Sequence, residues 1–123
     1  MEDYINRLQN NDANLIELDL YNQNIGYDGA IAISETLKVN TILQELYISG
    51  NKIGYKGAIA ISEALKVNTD LQILYISDNN IGENGAIAIS RVCFTVSLIK
   101  RNNLEALKIN TNLQELDLSL IHI

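Results

Sequence analysis

The chain of 123 residues contains no proline and no tryptophan, and it has one residue each of cysteine, histidine, methionine and phenylalanine. Without proline or a glycine- or serine-rich tract, flexible linkers are not expected, and the length suggests a single domain over residues 1–123. A lone Cys93 excludes an internal disulfide and is typical of a reducing compartment. No apolar run approaches the ~18 residues of a membrane span, and the polar start does not resemble a signal peptide. We therefore expect no membrane contact and a cytoplasmic location, or secretion by a route that needs no such signal.

Basic and catalytic residues are also scarce. Nine Lys and Arg against fifteen Asp and Glu give a net charge of −6. Because nucleic-acid affinity rests on clustered Lys and Arg, no nucleic-acid partner is expected. His122 and Cys93 each stand alone, so the sequence predicts neither a nucleophile–base pair nor a zinc site. Paired carboxylates such as Glu17 and Asp19 are interpreted as solvated side chains. The sequence therefore predicts no enzyme, no metal and no cofactor.

What the chain has in abundance is internal repetition. Segments that begin at Leu15, Leu43 and Leu71 follow the pattern L-x-x-L-x-L-x-x-N-x-I-G-x-x-G-A at a constant step of 28 residues, with Gln23 in place of the Asn in the first. Residues 105–118 match residues 63–76 at nine of fourteen positions, but at a displacement of 42, so fourteen residues have been added. We divide the chain into a cap (1–14), three repeats (15–42, 43–70 and 71–90), an irregular insert (91–104) and a partial terminal repeat (105–123).

Each repeat is predicted to contain one strand and one helix. Leu43, Leu46 and Ile48 alternate as the buried face of a strand, and Ala58, Ile61 and Leu65 recur at helical spacing. One such unit cannot bury its own apolar face, so the repeats must stack into a parallel sheet inside and a row of helices outside. Helices are about 10 Å wide and strands ~4.8 Å apart, so the stack must curve with the sheet on its concave side. The predicted fold class is α/β.

The turns carry expectations of their own. The glycines of each repeat are expected to adopt positive φ in the strand-to-helix turn; they are Gly26, Gly54, Gly82, Gly29, Gly57 and Gly85. Asp28 and Asn84 are expected to cap helix N-termini. The asparagines near the helix ends are expected to be left-handed; they are Asn40, Asn68 and Asn110.

The repeated string resembles the leucine-rich repeat family, and its period is similar to that of the ribonuclease-inhibitor-like subtype. The resemblance covers residues 15–90 and 105–118. It implies a right-handed horseshoe arc, a solenoid with a parallel concave sheet and convex helices, used as a non-enzymatic scaffold for protein binding. It also implies that Asn51 and Asn79 point inward and hydrogen-bond the backbone as a structural ladder, from which Gln23 and Ile121 depart.

The predicted concave face carries the candidate binding residues. One row across the strands holds Glu17, Glu45, Ile73 and Glu115, the next holds Asp19, Tyr47, Tyr75 and Asp117, and Tyr21 begins a third. Tyr47 and Tyr75 are one coil apart, close enough to stack, and tyrosine supplies rigid contact area. An aromatic centre bordered by carboxylates suits a protein partner that is basic, or that offers Arg or Lys around an apolar anchor. Duplication of surface residues together with core residues is the alternative explanation of the tyrosine pair.

Both ends and the insert depart from the repeat. In the cap, Ile5 and Leu8 are expected to cover the first coil. At the other end the last strand is expected to be uncapped, with apolar Leu120, Ile121 and Ile123 at its edge. An alternative function follows: a fragment or end piece of a longer leucine-rich repeat receptor or effector that forms a homodimer through this sheet edge.

The insert 91–104 is interpreted as a lengthened or broken convex helix, with a looped-out segment or an unrefined recombination scar as alternatives.

Overall fold

Strands and helices alternate along the chain. The computed structural model describes residues 1–91 and the backbone of residues 115–117. In order, the elements are α1 (Glu2–Gln9), β1 (Glu17–Asp19), α2 (Gly26–Leu37), β2 (Glu45–Tyr47), α3 (Gly54–Leu65), β3 (Ile73–Tyr75), α4 (helical over 82–91) and β4 (Glu115–Asp117). The predicted unit of one strand and one helix is therefore present in each repeat of the described part.

The strands form one parallel sheet in the order β1-β2-β3-β4. Glu17 pairs with Glu45, Glu45 with Ile73, and Ile73 with Glu115. The first two pairings span 28 residues and the third spans 42, which is the displacement found in the sequence. The fourteen added residues therefore do not interrupt the sheet, because β4 takes the register that a fourth repeat requires. The predicted α/β fold with a parallel sheet is confirmed.

The core lies between the sheet and the helices. The strands contribute Leu18, Leu46 and Leu74, and the facing helices contribute Ile33, Leu37, Ile61 and Leu65, all at most 5% exposed. Each such side chain stabilises the fold by roughly 1.5–3 kcal/mol relative to an exposed one. Helix α2 packs against α3 on one side and α1 on the other. The sheet therefore keeps one face covered by helices and one face open.

Helix α1 closes the first coil. Leu8 is fully buried, and Ile5 packs against the core with partial burial. Arg7 Nε donates to Asp12 Oδ2 at 2.8 Å, and Asn11 Oδ1 accepts from the backbone N–H of Thr41 at 3.0 Å. The cap thus joins the core through its apolar side and the first repeat through its polar turn.

The expectation that all six turn glycines adopt positive φ is wrong in part. Gly54 has a φ of +73°, as expected, but Gly57 lies inside α3 without positive φ, and the same holds for Gly29 and Gly85 in their helices. A Cβ at Gly57 would run into Ile53 Cγ2 and approach the Ala30 Cβ to 3.1 Å. The second glycine of each repeat therefore leaves room for the isoleucine four residues earlier, and at Gly57 and Gly85 it also lets the preceding helix approach closely.

Side-chain capping by Asp28 and Asn84 is also wrong. Helix α2 begins at Gly26 with no side-chain cap, which places Asp28 inside its first turn, and Asn84 likewise lies within α4. The N–H of Gly26 instead donates to the carbonyl of Asn51 at 2.8 Å, and the N–H of Gly54 donates to that of Asn79 at 2.9 Å. The first N–H of α2 and of α3 thus bonds a carbonyl of the next coil, in place of a local side-chain cap.

Several predictions fall on residues 92–114 and 118–123, which lie outside the described residues. They concern the conformation of the insert, Asn110, and the apolar edge at Leu120, Ile121 and Ile123. Of the helices in the described ranges, none is both long and apolar enough to cross a membrane.

Candidate functional site

The candidate site is the open sheet face, defined here as the side chains at positions 17, 19, 45, 47, 73 and 75. Leu18, Leu46 and Leu74 turn into the core, so the residues on either side of each must point away from the helices. Glu17 and Asp19 are exposed, and the other four are partly exposed. The backbone of Glu115 and Asp117 pairs with Ile73 and Tyr75 in the same two rows. The predicted rows are therefore adjacent in the sheet.

Two aromatic rings stand at the centre of this face. Tyr47 and Tyr75 pair directly in the register, and their rings stack with centroids 4.9 Å apart and planes 13° apart. The Tyr47 hydroxyl donates to Glu45 Oε1 at 3.2 Å. The stack and the hydrogen bond restrain both tyrosines, so the face presents a preformed aromatic surface.

Carboxylates border the rings. Glu17, Asp19 and Glu45 lie in β1 and β2, and no Lys or Arg occurs in any of the four strands. Asp19 Oδ1 accepts from the backbone N–H of Tyr21 at 3.0 Å, which orients the carboxylate. Within residues 1–91 and 115–117, no group of His, Cys, Asp and Glu has the arrangement of a metal site. The open sheet face is thus an acidic and aromatic surface.

Tyr21 occupies a different place from the strand residues. It follows β1 in the turn, is 62% exposed, and has its ring beside Gly50 in the next coil. A Cβ at Gly50 would lie 3.6 Å from Tyr21 Cε2. Tyr21 is therefore an exposed ring at the strand-to-helix rim, beside the open sheet face.

A ladder of asparagines fixes the strand-to-helix rim. Asn51 is fully buried; its Oδ1 accepts from the N–H of Gln23 at 2.8 Å and of Ile25 at 3.3 Å. Its Nδ2 donates to the carbonyls of Leu20, Ile48 and Ser49 at 2.8, 2.9 and 3.1 Å. Asn79 repeats the arrangement one coil later, accepting from Asn51 N–H at 2.7 Å and Ile53 N–H at 3.4 Å. We call this the upper ladder.

A second ladder lies at the opposite rim, where each helix leads to the next strand, and sequence reasoning missed it. Asn40 and Asn68 are buried and lack positive φ, so the left-handed conformation expected for them is wrong. Asn68 Nδ2 donates to the carbonyls of Leu37 and Asn40 at 2.9 and 3.1 Å, and Asn40 Nδ2 donates to that of Leu8 at 2.9 Å. Each Oδ1 accepts from two backbone N–H groups, those of the last residue of its own repeat and of the first residue of the next. We call this the lower ladder.

The two ladders hold the strand ends at fixed positions on both rims. No buried side-chain N or O atom in the described residues lacks a hydrogen-bond partner. Since an unsatisfied buried polar group costs about 1–3 kcal/mol, this pairing is a condition for the stack. The signal for the lower ladder was present in the sequence as an Asn recurring with the repeat, but its spacing alone also fits a helix end.

Comparisons with known proteins agree with this architecture. A family model described as "Leucine Rich repeat" matches residues 39–62 and 67–90. A solved structure of "Leiomodin-1 Actin-Binding Site 2 (ABS2)" is similar with a TM-score of 0.73 at 21% identity, over 99% of this chain and 79% of that chain. A tropomodulin C-terminal domain from Caenorhabditis elegans is similar with a TM-score of 0.62 at 12% identity, over 99% and 84%. No curated protein sequence matches the chain. At these identities the two structures show the fold.

Proposed function

We propose that this protein, whose fold is a leucine-rich repeat solenoid, is a non-enzymatic interaction module that binds a protein partner on its open, concave sheet face. The observation that carries the proposal is the stack of Tyr47 on Tyr75, with centroids 4.9 Å apart, in a surface where the flanking charges are carboxylates. Aromatic side chains at the centre of an interface commonly supply most of its binding energy.

The charge of the surface indicates what kind of partner it suits. Glu17 and Asp19 are exposed and Glu45 is partly exposed, while the strands contain no cation to neutralise them. Such a face favours a partner with a basic surface, and partly exposed Ile73 and the two rings favour an apolar anchor within it. A basic protein segment with Arg or Lys around an apolar residue meets both conditions.

The structural likeness supplies one named protein to test. The similar leiomodin-1 domain is named as an actin-binding site. The likeness at 21% identity concerns the fold, so actin enters as a candidate partner because a similar fold is named for binding it. Direct measurement with purified actin is therefore a reasonable first binding assay.

Charge reversal on the open sheet face tests the proposal. The full chain and the variant Asp19→Lys/Glu45→Lys would be immobilised, and actin and proteins from a lysate would be passed over both. We expect the variant to lose partners that the wild type retains, and we expect that retention to weaken as ionic strength rises. Glu83→Lys/Glu35→Lys on exposed helix positions is the matched control with the same change in charge. Identical partners on wild type and Asp19→Lys/Glu45→Lys would contradict the proposal.

The alternative is self-association through the C-terminal sheet edge, which the sequence suggests through the apolar Leu120, Ile121 and Ile123. Apolar edge pairing should not weaken with salt, whereas binding to the acidic face should. The mass in solution of the full chain, compared with a variant lacking residues 119–123, tests this alternative. A monomer in both cases would exclude it.

A further inference from the structure

The two stacked rings define a regular step along the open sheet face. Tyr47 and Tyr75 are one strand apart, and their centroids are 4.9 Å apart with nearly parallel planes. A third planar group in the same row would lie one further step away, above β1. The residue at that position is Asp19, which pairs with Tyr47 in the register and is exposed.

Asp19 differs from tyrosine in both length and charge. Its side chain ends at a carboxylate close to the sheet, so it does not reach the level at which the tyrosine rings stack. Its Oδ1 accepts from the Tyr21 N–H at 3.0 Å, which holds the carboxylate in place and leaves Oδ2 to accept from a ligand. The row therefore offers the face of a tyrosine ring for stacking and, closer to the sheet, a carboxylate that can accept hydrogen bonds.

We infer that this place, which we call the Asp19–Tyr47 slot, receives the guanidinium group of an arginine from the protein partner. A guanidinium is planar, so it can extend the ring stack, and it donates several N–H groups, so it can also bind the carboxylate below. The inference rests on the proposed function and names the residue that the same face recognises.

The surrounding charges favour a cation in this slot. Glu17 is exposed in the same strand, and Glu45 in the neighbouring strand is held by the Tyr47 hydroxyl at 3.2 Å. Together with Asp19 these carboxylates place three negative charges around the slot, and strands β1 and β2 contain no Lys or Arg. The charge complementarity commits the occupant to a cationic side chain of a protein segment.

Arginine and lysine differ in this geometry. A lysine ammonium is a compact point charge that can meet Asp19 but cannot stack in parallel with Tyr47. The slot should therefore prefer arginine, and the preference should depend on the ring of Tyr47. This dependence separates the inference from a simple attraction between an acidic face and any basic partner.

The test uses three hexapeptides in which glycine alternates with arginine, lysine or citrulline. Each is titrated into the full chain, and binding is followed by the amide chemical shifts of Asp19 and Tyr47. We expect the arginine peptide to bind about fivefold more tightly than the lysine peptide. Citrulline keeps the planar shape without the charge, and we expect its peptide to bind more weakly than both.

Variants assign the preference to the slot. Tyr47→Leu should bring the arginine-to-lysine ratio close to one, while Tyr47→Phe should keep it; Tyr55→Leu in α3 is the control that should leave it unchanged. Asp19→Asn should weaken both basic peptides. Equal affinity for arginine and lysine peptides, or a preference that survives Tyr47→Leu, would overturn the inference. Such a result would leave the proposed function standing if charge reversal on the face still removed the protein partner.

Discussion

The backbone N–H of Asn51 donates to the side-chain Oδ1 of Asn79, 2.7 Å away and one coil later in the chain. Asn51 does the same for the preceding coil by accepting from Gln23 N–H at 2.8 Å. Each asparagine thus orders the turn of the coil before its own. The open sheet face lies beside these turns, so its geometry depends on side chains that are fully hidden.

Replacement of Asn51 by alanine should be among the most destabilising substitutions in the chain. Asn51→Ala removes the acceptor for the N–H groups of Gln23 and Ile25 and the donor to the Leu20 carbonyl, leaving backbone groups without these partners. We expect a loss of about 3 kcal/mol or more in the free energy of unfolding. Urea denaturation followed by circular dichroism measures it. Asn10→Ala, at an exposed position, is the control and should change stability by less than about 0.5 kcal/mol.

Glycine at position 68 distinguishes the observed lower ladder from the expected left-handed helix end. If Asn68 served through a left-handed backbone, Asn68→Gly would be tolerated or stabilising. Because its side chain makes four hydrogen bonds and its φ is not positive, we expect Asn68→Gly and Asn68→Ala both to cost about 2–4 kcal/mol. Thermal and urea unfolding of the two variants would show it. Wild-type stability in Asn68→Gly would contradict the ladder.

The two glycines at the start of α3 should respond to alanine for different reasons. Gly57→Ala places a Cβ against Ile53 and Ala30 between packed helices, and we expect a loss of about 1–3 kcal/mol despite the better helix propensity of alanine. Gly54→Ala meets no atom within 4 Å but must adopt a φ of +73°, at a cost of about 1 kcal/mol.

The double variant Gly57→Ala/Ala30→Gly tests whether the Ala30 methyl contributes to the loss expected at position 57. Removing the Ala30 methyl relieves one of the two contacts, so the loss attributed to position 57 should shrink in the background of Ala30→Gly. The measurement is a double-mutant cycle of unfolding free energies. A purely additive cycle would mean that Ala30 is not what the new methyl meets.

Asp12 should make the cap sensitive to acid. Hydrogen bonds from the Asn14 N–H, and then from Arg7, lower the pKa of the Asp12 carboxyl below its ordinary value. The contribution of a carboxylate with a lowered folded pKa is present above the unfolded value, about pH 4, and is lost as the pH falls through the folded pKa. The stability difference between wild type and Asp12→Asn should therefore be constant above about pH 5 and shrink below pH 4. Urea unfolding between pH 2 and 6 measures it, and an unchanged difference at the lowest pH would contradict the assignment.

The sheet and its rows could be predicted because both depend on spacing alone. Leu18, Leu46 and Leu74 repeat at 28 residues, and a displacement of 42 gives the position of Leu116, so the register follows once the strands are recognised. The stacking of Tyr47 on Tyr75 follows from that register and the separation of strands. These are consequences of the period, and they needed no knowledge of the helices.

The features that could not be predicted depend on contacts between coils. The first N–H groups of α2 and α3 donate to the carbonyls of Asn51 and Asn79 in the next coil, which no local capping rule would identify. Glycine is needed at position 57 because the Ala30 Cβ of the neighbouring helix lies close to it, and that distance cannot be read from the sequence. Likewise, Asn68 followed by Thr69 fits both a left-handed helix end and an inward side chain. The choice depends on whether a neighbouring backbone offers unpaired groups.

Both ladders have a direction. Asn40, Asn51, Asn68 and Asn79 each reach back towards the amino-terminal side, to the carbonyls of Leu8, Leu20, Leu37 and Ile48. The carbonyl groups of each coil therefore receive these hydrogen bonds only when the following coil has folded against it. During synthesis from the amino terminus, each emerging coil would finish the one before it. An engineered array could be lengthened by inserting a whole 28-residue unit, provided that each new unit carries both asparagines, which hydrogen-bond the backbone of the preceding unit.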